Sequence, residues 1–363
     1  MSTSIAVAMS GGLDSSVTAW LLSQQETPVI GLSMLLWDRS EEAVHGRCCG
    51  ALDLGDAQRV AGACGIAHYT LRMEEEFRRQ VVEPFVQDYL NGKTPVPCTN
   101  CNTWIKFDLF LDKARSLGAE RMATGHYARI LQGADGLELH ASLYPEKDQS
   151  YYLFELTQDQ LQRSMFPLGE LSKDAVRDLA RQAGLIVAEK GESMEICFVK
   201  NGIREFVEAE LERFPESYEN VPSVAPSSVV DQQGRELGQG DPYYRYTVGQ
   251  RRGLGVATGE KLYVLKVDPA ENRVVVGGRD ALRSTGLFGE RLHWIGLEQQ
   301  VPVEAVVKIR SRHPGVPSTI RPLGDSRVEI DFEDPQIGVT PGQAAVFYQG
   351  SRVLGGCWIS AAK

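Results

Sequence analysis

Ala8-Met9-Ser10-Gly11-Gly12-Leu13-Asp14-Ser15 joins a short apolar run, Ile5 to Ala8, to an apolar-rich stretch of helical character from Ser16 to Ser23. The order is strand, glycine-rich loop, helix. Two adjacent glycines let the backbone turn tightly and bring bare N–H groups toward a ligand. Ser10 and Ser15 add hydroxyl donors, and the following helix directs the positive end of its dipole at the loop. The stretch reads as a cradle for an anion, phosphate before others. It has neither the Lys of Gly-x4-Gly-Lys-Ser/Thr nor the spacing of Gly-x-Gly-x-x-Gly. A glycine-rich turn without a ligand is the bland alternative, and the strand–turn–helix context argues against it.

Outward from the loop, Val29 to Leu36 and Ile66 to Leu71 read as further strands. Asp53 to Cys64 reads as a helix closed by Gly65. Glu74 to Leu90 is a longer amphipathic helix that Pro84 kinks, and Ile105 to Leu117 is another, ended by Gly118. Met122 to Ala128 reads as a strand carrying Gly125-His126-Tyr127. Gly-Ala-Asp-Gly in Leu131 to Ser142 marks a hairpin. Ser172 caps a helix to Ala183, and Ile203 to Phe214 is one more. From Pro215 the composition shifts to Pro, Ser, Gly and short β-type runs: Leu262 to Val267, Val274 to Val276, Val303 to Ile309, Val328 to Phe332, Ala344 to Tyr348 and Val353 to Ile359. The expected fold is α/β: a doubly wound parallel-sheet domain (1–200), a small mixed α/β domain (201–282) and a C-terminal β-barrel-like domain (283–363). In such sheets ligands sit outside the carboxyl ends of the strands, where the Ser10–Ser15 loop falls.

The 363 residues carry a formal net charge of −10 and seven cysteines. The acidic balance argues weakly against a nucleic-acid partner and leaves room for local basic patches. Two basic groups stand out, Arg245, Arg251 and Arg252, then Arg310, Arg312, His313 and Arg321; RNA contact is expected of the second. There is no apolar run long enough to span a bilayer and no leader pattern at the N-terminus, so the expectation is a cytoplasmic protein without a membrane partner. An odd number of cysteines in such a chain reads as thiols, redox or metal ligands rather than a disulfide framework. Cys98 and Cys101 lie in Pro95-Val-Pro-Cys-Thr-Asn-Cys-Asn102, expected to be a loop just before a helix, where a thiol's pKa is lowered. Cys197 lies in Glu195-Ile-Cys-Phe198, and a buried strand cysteine is the even alternative there. Cys64 and Cys357 read as packing residues. Cys48 and Cys49 are a further metal or disulfide option.

Ser10-Gly-Gly-Leu-Asp-Ser15 after an N-terminal strand resembles the PP-loop of the ATP pyrophosphatases. With Thr94-Pro-Val-Pro and Cys101-Asn102, Ala123-Thr-Gly-His-Tyr127, Lys147-Asp-Gln-Ser-Tyr-Tyr152, Glu195-Ile-Cys-Phe198, Thr247-Val-Gly-Gln-Arg251 and Pro341-Gly-Gln-Ala344, the chain resembles the tRNA-specific 2-thiouridylases over nearly its whole length. The resemblance implies that Ala8, Met9, Ser10, Gly11, Gly12, Leu13, Asp14, Ser15, Met34 and Gly125 contact ATP, with Asp14 helping to hold Mg²⁺. It implies Cys101 and Cys197 as the catalytic pair and Val96, Pro97 and Cys98 near the target base. His126, Lys147, Asp148, Gln149, Arg310, Ser311 and Gln343 would touch tRNA.

The implied chemistry is adenylation of the uracil C2 oxygen, which turns it into a good leaving group. Sulfur then arrives from a Cys197 persulfide, loaded by a donor protein such as a cysteine desulfurase or sulfur-relay carrier. Either the terminal sulfur attacks C2, or Cys101 reduces the persulfide and frees hydrosulfide, leaving a Cys101–Cys197 disulfide. The base must leave the anticodon stack to reach such a site. Some family members carry Asp where Cys98 stands. With Cys101 and Cys197 it makes three thiols, the ligand set of a [4Fe-4S] cluster with one iron open to sulfide. Another PP-loop ligase needs no paired cysteines, and a non-catalytic nucleotide- or RNA-binding protein of this fold would not need Asp14, Cys101 and Cys197.

Overall fold

The computed structural model describes residues 4–37, 51–191, 196–200, 202–219, 225–256, 259–296 and 299–363. Cys48, Cys49 and Glu195 lie outside them. β1 (Ser4–Ala8) passes through the glycine loop into α1 (Leu13–Ser23), followed by β2 (Val29–Leu35), α2 (Ala51–Ala63) and β3 (Ala67–Arg72). α3 (Glu74–Phe77) and α4 (Glu83–Leu90) are joined by a π-helical turn, Arg78–Val82, into one continuous run. The wide turn falls just before Pro84, whose ring cannot follow a regular helical turn.

α5 (Pro97–Asn100) opens a second run that continues as a π-helix over Cys101–Phe110 and ends in α6 (Leu111–Ser116). This corrects the expectation that the helix starts at Ile105. Pro97 stands at the first helical position, where its missing N–H is no loss, so Cys98 and Cys101 sit on the first turns and not in a preceding loop. A second correction concerns β4 (Ala119–Ala123), which stops before Gly125. Thr124-Gly-His-Tyr127 is a connection at the strand's carboxyl end, and Ala128 already opens the hairpin of β5 (Ala128–Gly133) and β6 (Gly136–Ala141). After α7 (Gln158–Gln162) and β7 (Ser164–Met165), the Ser172 hydroxyl caps α8 (Lys173–Gln182) by accepting the Ala175 N–H at 3.1 Å.

The first sheet has the order β3-β2-β1-β4-β7 with every pairing parallel. Alternation along β1 decides what covers it. Ile5, Val7 and Met9 pack with Leu13, Val17, Ala57, Val60, Val176 and Ala180 from α1, α2 and α8. Ala6 and Ala8 face the other way, toward Phe77, Val81, Phe85, Ile105 and Phe110 of the two π-containing runs. The sheet is thus doubly wound, with the glycine loop at the carboxyl end of its middle strand.

α9 (Ile203–Arg213) precedes β8 (Ser227–Val230), β9 (Glu236–Gly240), β10 (Tyr263–Asp268) and β11 (Arg273–Gly277), a sheet of order β10-β11-β8-β9. The remaining strands are β12 (Arg283–Trp294), β13 (Val303–Lys308), β14 (Val316–Gly324), β15 (Arg327–Ile337), β16 (Ala344–Gln349) and β17 (Arg352–Ala362). They run antiparallel in the order β12-β15-β14-β13-β16-β17, and β12 pairs with β17 to close a six-stranded barrel. Its interior is Leu287, Val307, Ile320, Val328, Ile330, Phe347 and Cys357. The β5–β6 hairpin extends this sheet through Arg352↔His140 and Val353↔Leu139. Among the described residues no helix is long and apolar enough to cross a membrane.

Candidate active site

Gly11 has φ 70°, in the left-handed region that favours glycine, and a side chain there would run into the Asp53 carbonyl. Gly12 caps α1 with no side-chain hydrogen bond, so the first-turn amides face the loop. Ser15 Oγ accepts the Ser10 N–H at 3.1 Å and lies 3.1 Å from Ser10 Oγ, which closes the loop on itself. The Met9 N–H donates to Leu32 O at 2.8 Å, and Ser33 Oγ donates to Met9 O at 2.6 Å, tying the loop's entry to β2. Ser16 Oγ is buried and has no hydrogen-bond partner among the described residues. Gly125 closes the other side, since a Cβ there would stand 2.9 Å from Asp14 Cβ and from the Ser15 amide nitrogen. Met34 lies half-buried on β2 against the core. The residues expected around a nucleotide phosphate are therefore adjacent in space.

Two lysines beside the loop carry no signal in the motif. Lys173 Nζ bonds both Asp14 oxygens, at 2.8 and 2.9 Å, and the Tyr127 hydroxyl donates to Asp14 Oδ1 at 2.8 Å. Lys190 Nζ donates to Gly11 O at 2.8 Å and to Asp53 and Asp56 at 2.6 Å each, binding the loop to the start of α2. The visible hint is Lys173 itself, a cation on the first turn of a helix, where the dipole disfavours it.

Val96 is the N-cap of α5 and Pro97 its first residue; both are buried, Cys98 is exposed and Cys101 is buried. Cys101 belongs to the large apolar cluster against which half-buried Cys197 also packs. Phe198 anchors Cys197 there through edge contacts to Phe77 and Phe85, with ring centroids at 5.6 and 5.1 Å. Burial pushes the Tyr152 phenol up, and the Ser311 hydroxyl bonded to it and Arg312 pull it back, while Cys98 adds to the rise. Cys98, Tyr152, Ser311 and Arg312 are thus neighbours, which joins the start of the thiol helix to the barrel. Thr103 Oγ1 donates to Glu155 at 2.8 Å, and Arg291 and Trp358 of the barrel bind the same carboxylate at 3.0 and 2.8 Å. Among the described residues no three His, Cys, Asp or Glu side chains converge on a cation position. Cys98, Cys101 and Cys197 accordingly do not form the three-thiol set of an iron–sulfur cluster in this structure. One carboxylate beside a phosphate loop suits a Mg²⁺ held mainly by a nucleotide's own phosphates, not by a protein cage.

Thr94 N–H donates to Pro341 O at 2.8 Å and Gln343 Nε2 to Thr94 O at 2.8 Å, so two motifs far apart in sequence meet. They border a cleft of about 420 Å³ lined by Thr94, Thr247, Gly249, Arg279, Arg310 and Gln343. Arg310 and Arg312 are accessible to solvent. Three other basic residues of the two groups are engaged by partners within the fold. His313 is buried and bonded to Gln336, Arg321 pairs with Asp331, and Arg245 pairs with Glu208 and Asp241. Asp148 accepts from the Ser142 and Ser150 amides and Ser150 Oγ, and Gln149 Oε1 accepts the Tyr127 N–H, so both side chains brace the hairpin instead of facing outward. Lys147 is half-exposed.

His126, expected to touch tRNA, sits inside the fold. Its ring is buried against Phe107 and Phe166 and hydrogen-bonded to Thr124 Oγ1 at 2.7 Å. Burial, with Lys106 adding to it, holds the imidazole well below its ordinary pKa of 6.5, so it offers a phosphate no charge. Unfolded chain takes up this proton near the ordinary value and folded chain does not. The His126 contribution is therefore complete above that pH and is lost as the pH falls below it. Over roughly pH 7.5 to 5.5 the Tm of the wild type is expected to fall more than that of His126→Asn; parallel curves would show that the ring is not buried neutral.

A phosphate loop at the carboxyl end of a doubly wound parallel sheet, with thiols on the neighbouring helix and a closed barrel behind, defines a PP-loop enzyme of composite architecture. Residues 3–201 match the family model described as tRNA methyl transferase HUP domain, 219–278 that of the PRC-barrel domain and 284–359 that of the aminomethyltransferase beta-barrel domain. A protein of Solibacter usitatus named tRNA-specific 2-thiouridylase MnmA is 49% identical over 369 residues, covering 98% of each chain. Its namesake in Geotalea uraniireducens is also 49% identical, covering 98% of this chain and 94% of its own. The chain belongs to the tRNA-specific 2-thiouridylase family.

Proposed function

We propose that this protein carries out ATP-dependent 2-thiolation of the wobble uridine in tRNA anticodons. The observation that carries the reading is near full-length similarity to 2-thiouridylases in a chain whose phosphate loop and thiol helix border one sheet. The uracil C2 oxygen attacks the α-phosphorus of ATP, and pyrophosphate leaves. A sulfur nucleophile then attacks C2, and AMP departs with the oxygen. Ala8 to Ser15, Met34 and Gly125 form the nucleotide cradle. Cys197 carries the persulfide and Cys101 is its partner, with the sulfur delivered by a cysteine desulfurase or a relay carrier. Cysteine thiols, not a cluster, carry the sulfur in this reading. Val96, Pro97 and Cys98 lie near the target base, and Lys147, Arg310, Ser311 and Gln343 hold the RNA. Residues 1–200 do the chemistry, 201–282 connect, and 283–363 grip the tRNA.

The test is incubation with ATP, Mg²⁺, a persulfide-loaded cysteine desulfurase or relay carrier and unmodified tRNA bearing a wobble uridine, under anaerobic conditions, followed by digestion and mass analysis for 2-thiouridine. No product would remove the reading. The solvent-accessible pair in the barrel gives a separate expectation. Arg310→Ala with Arg312→Ala weakens tRNA binding at every sequence tested and lowers the slope of log K against log salt by about 0.7–0.9 for each phosphate that the pair neutralises. An unchanged slope would take these arginines off the RNA.

A further inference from the structure

Glu155 is 9% exposed, and its carboxylate is held from two sides. Thr103 of the thiol helix donates to Oε2 at 2.8 Å, while Arg291 Nη2 and Trp358 Nε1 of the barrel donate to Oε1 at 3.0 and 2.8 Å. A carboxylate taken this far out of water persists only where donors surround it. The barrel bends to supply one of them. Pairing of β12 with β17 slips between Glu290 and His293, and Arg291 sits in that slip at φ 53°. Among the described residues the other non-glycine positions of positive φ, Asn272, Asp325 and Ser326, all lie in hairpin turns, and Arg291 alone is inside a strand. A bulge re-aims a side chain. This one sets the guanidinium on Glu155, 5.1 Å from the Trp358 ring centroid.

On the helix side the contact falls next to a thiol. Thr103 is two residues after Cys101 in the π-helical run, a conformation frequent at functional sites. Its neighbour Asn102 donates through Nδ2 to Tyr152 O at 3.0 Å, so consecutive residues after Cys101 are fastened to the segment 152–155. That segment is itself tied to the barrel where Tyr151 Oη donates to Ala344 O at 2.8 Å. Thr103 has one hydroxyl proton, and Thr99 O at 3.0 Å competes for it. The charged acceptor is the stronger of the two.

Resting on the sulfur-transfer reading given above, we propose that Glu155 is a positioning residue for the sulfur step. It acts through Thr103. It fixes the height and rotation of the thiol helix against the barrel, so that Cys101 meets its sulfur partner and the base of barrel-bound RNA at one distance. None of these bonds reaches the Ser10–Ser15 loop, so adenylation proceeds without them. Loss of the Thr103 bond lets the helix turn and moves Cys101, while the loop and the RNA grip stay where they are.

The alternative is a staple that only fastens the barrel to the first domain. Thr103→Val removes the hydroxyl at nearly constant volume, and Thr103→Ser keeps it. Both are compared with wild type, Glu155→Gln and the double variant Glu155→Gln with Thr103→Val. The readouts are Tm, tRNA affinity, tRNA-dependent pyrophosphate release and single-turnover 2-thiouridine formation from a persulfide-loaded donor protein. Thr103→Val is expected to slow thiouridine formation by roughly tenfold or more. Its tRNA affinity and pyrophosphate release should stay within about twofold of wild type, and every rate of Thr103→Ser within about threefold. Adding Thr103→Val to Glu155→Gln should slow the reaction no further, because both remove one contact. A staple would lower Tm and weaken tRNA affinity, pyrophosphate release and thiolation together, or change none of them. Either result overturns the proposal, as do equal thiolation rates for Thr103→Val and Thr103→Ser. If Glu155→Gln does not fold, the Thr103 pair decides. Alkylation of Cys101, read by peptide mass, needs no turnover and should be at least about threefold faster in Thr103→Val than in Thr103→Ser. Wild type that forms no 2-thiouridine would instead overturn the functional reading, and the alkylation ratio would then judge Glu155 on its own.

Discussion

Replacing Cys197 by serine is expected to cut 2-thiouridine formation from a protein-bound sulfur donor by roughly 10³-fold or more, while tRNA-dependent pyrophosphate release continues. The separation follows from where the residue stands. Cys197 packs at the edge of the apolar cluster that holds Phe198, Phe77 and Phe85, on the face of the sheet opposite α1, α2 and α8. A serine keeps the volume of the thiol closely enough for the Phe198 anchor to stay in place. What disappears is a sulfur that can carry another sulfur. Cys101→Ser is expected to differ. Cys101 is buried on the first turns of the thiol helix, so its loss blocks release of hydrosulfide from a loaded Cys197 and lets the persulfide accumulate. Mass spectrometry of the intact protein reads this as a gain of one sulfur after exposure to the donor. If free sulfide restores product with Cys197→Ser and not with Cys101→Ser, the persulfide leaves the obligatory path. Equal loss of pyrophosphate release in both variants would mean that the thiols build the nucleotide site, contrary to a division of labour between loop and thiols.

The sequence pattern is legible where a local rule fixes the outcome. A short apolar run before Ser-Gly-Gly must end a buried strand, and Ser172 with Gly184 brackets α8. It is less legible where the tertiary environment overrides the pattern. Pro95 and Pro97 read as breakers, which puts Cys98 and Cys101 ahead of a helix, yet Pro97 serves as the helix's first residue. β12 and β14 escape notice because Gly286 and Gly289 interrupt the first, and Pro317 and Pro322 the second; a closed barrel tolerates both through bulges and tight bends. Basic residues show most plainly why a run of arginines is not an interface. Arg310 and Arg312 reach solvent, whereas Arg321 and Arg245 are engaged by acidic partners that lie close only after folding. Lys173 is invisible for the same reason in reverse. Its partner Asp14 lies 159 residues away, and no spacing rule links them.

The two glycines of the loop, read from sequence as equivalent, are expected to respond very differently to a methyl group. Gly11 sits at φ 70°, and a Cβ there would overlap the backbone carbonyl, carbonyl carbon and Cα of Asp53. No side-chain rotation relieves a backbone clash, so Gly11→Ala must either move the first turn of α2 or reopen the loop. The left-handed strain adds about 1–2 kcal/mol, and the Lys190 bridge from Gly11 O to Asp53 and Asp56 is pulled apart with it. Because a misplacement of about 1 Å in a phosphate cradle costs roughly 10²-fold, ATP affinity and pyrophosphate release should both fall by at least that factor. Gly12 has φ −92°, and the nearest atom to its added Cβ is Ser10 Oγ at 3.4 Å, an ordinary contact. Gly12→Ala should therefore fold normally and lose less than about tenfold in ATP affinity, the residue of a poorer helix cap and a slightly crowded approach for the phosphate. The ratio of the two effects, read by calorimetry with ATP, is the measurement. Equal losses would mean that the loop meets its ligand through Gly12 as closely as α2 meets Gly11, and the cradle would then have to lie nearer the N-terminus of α1 than the Ser10–Ser15 hydroxyl pair implies.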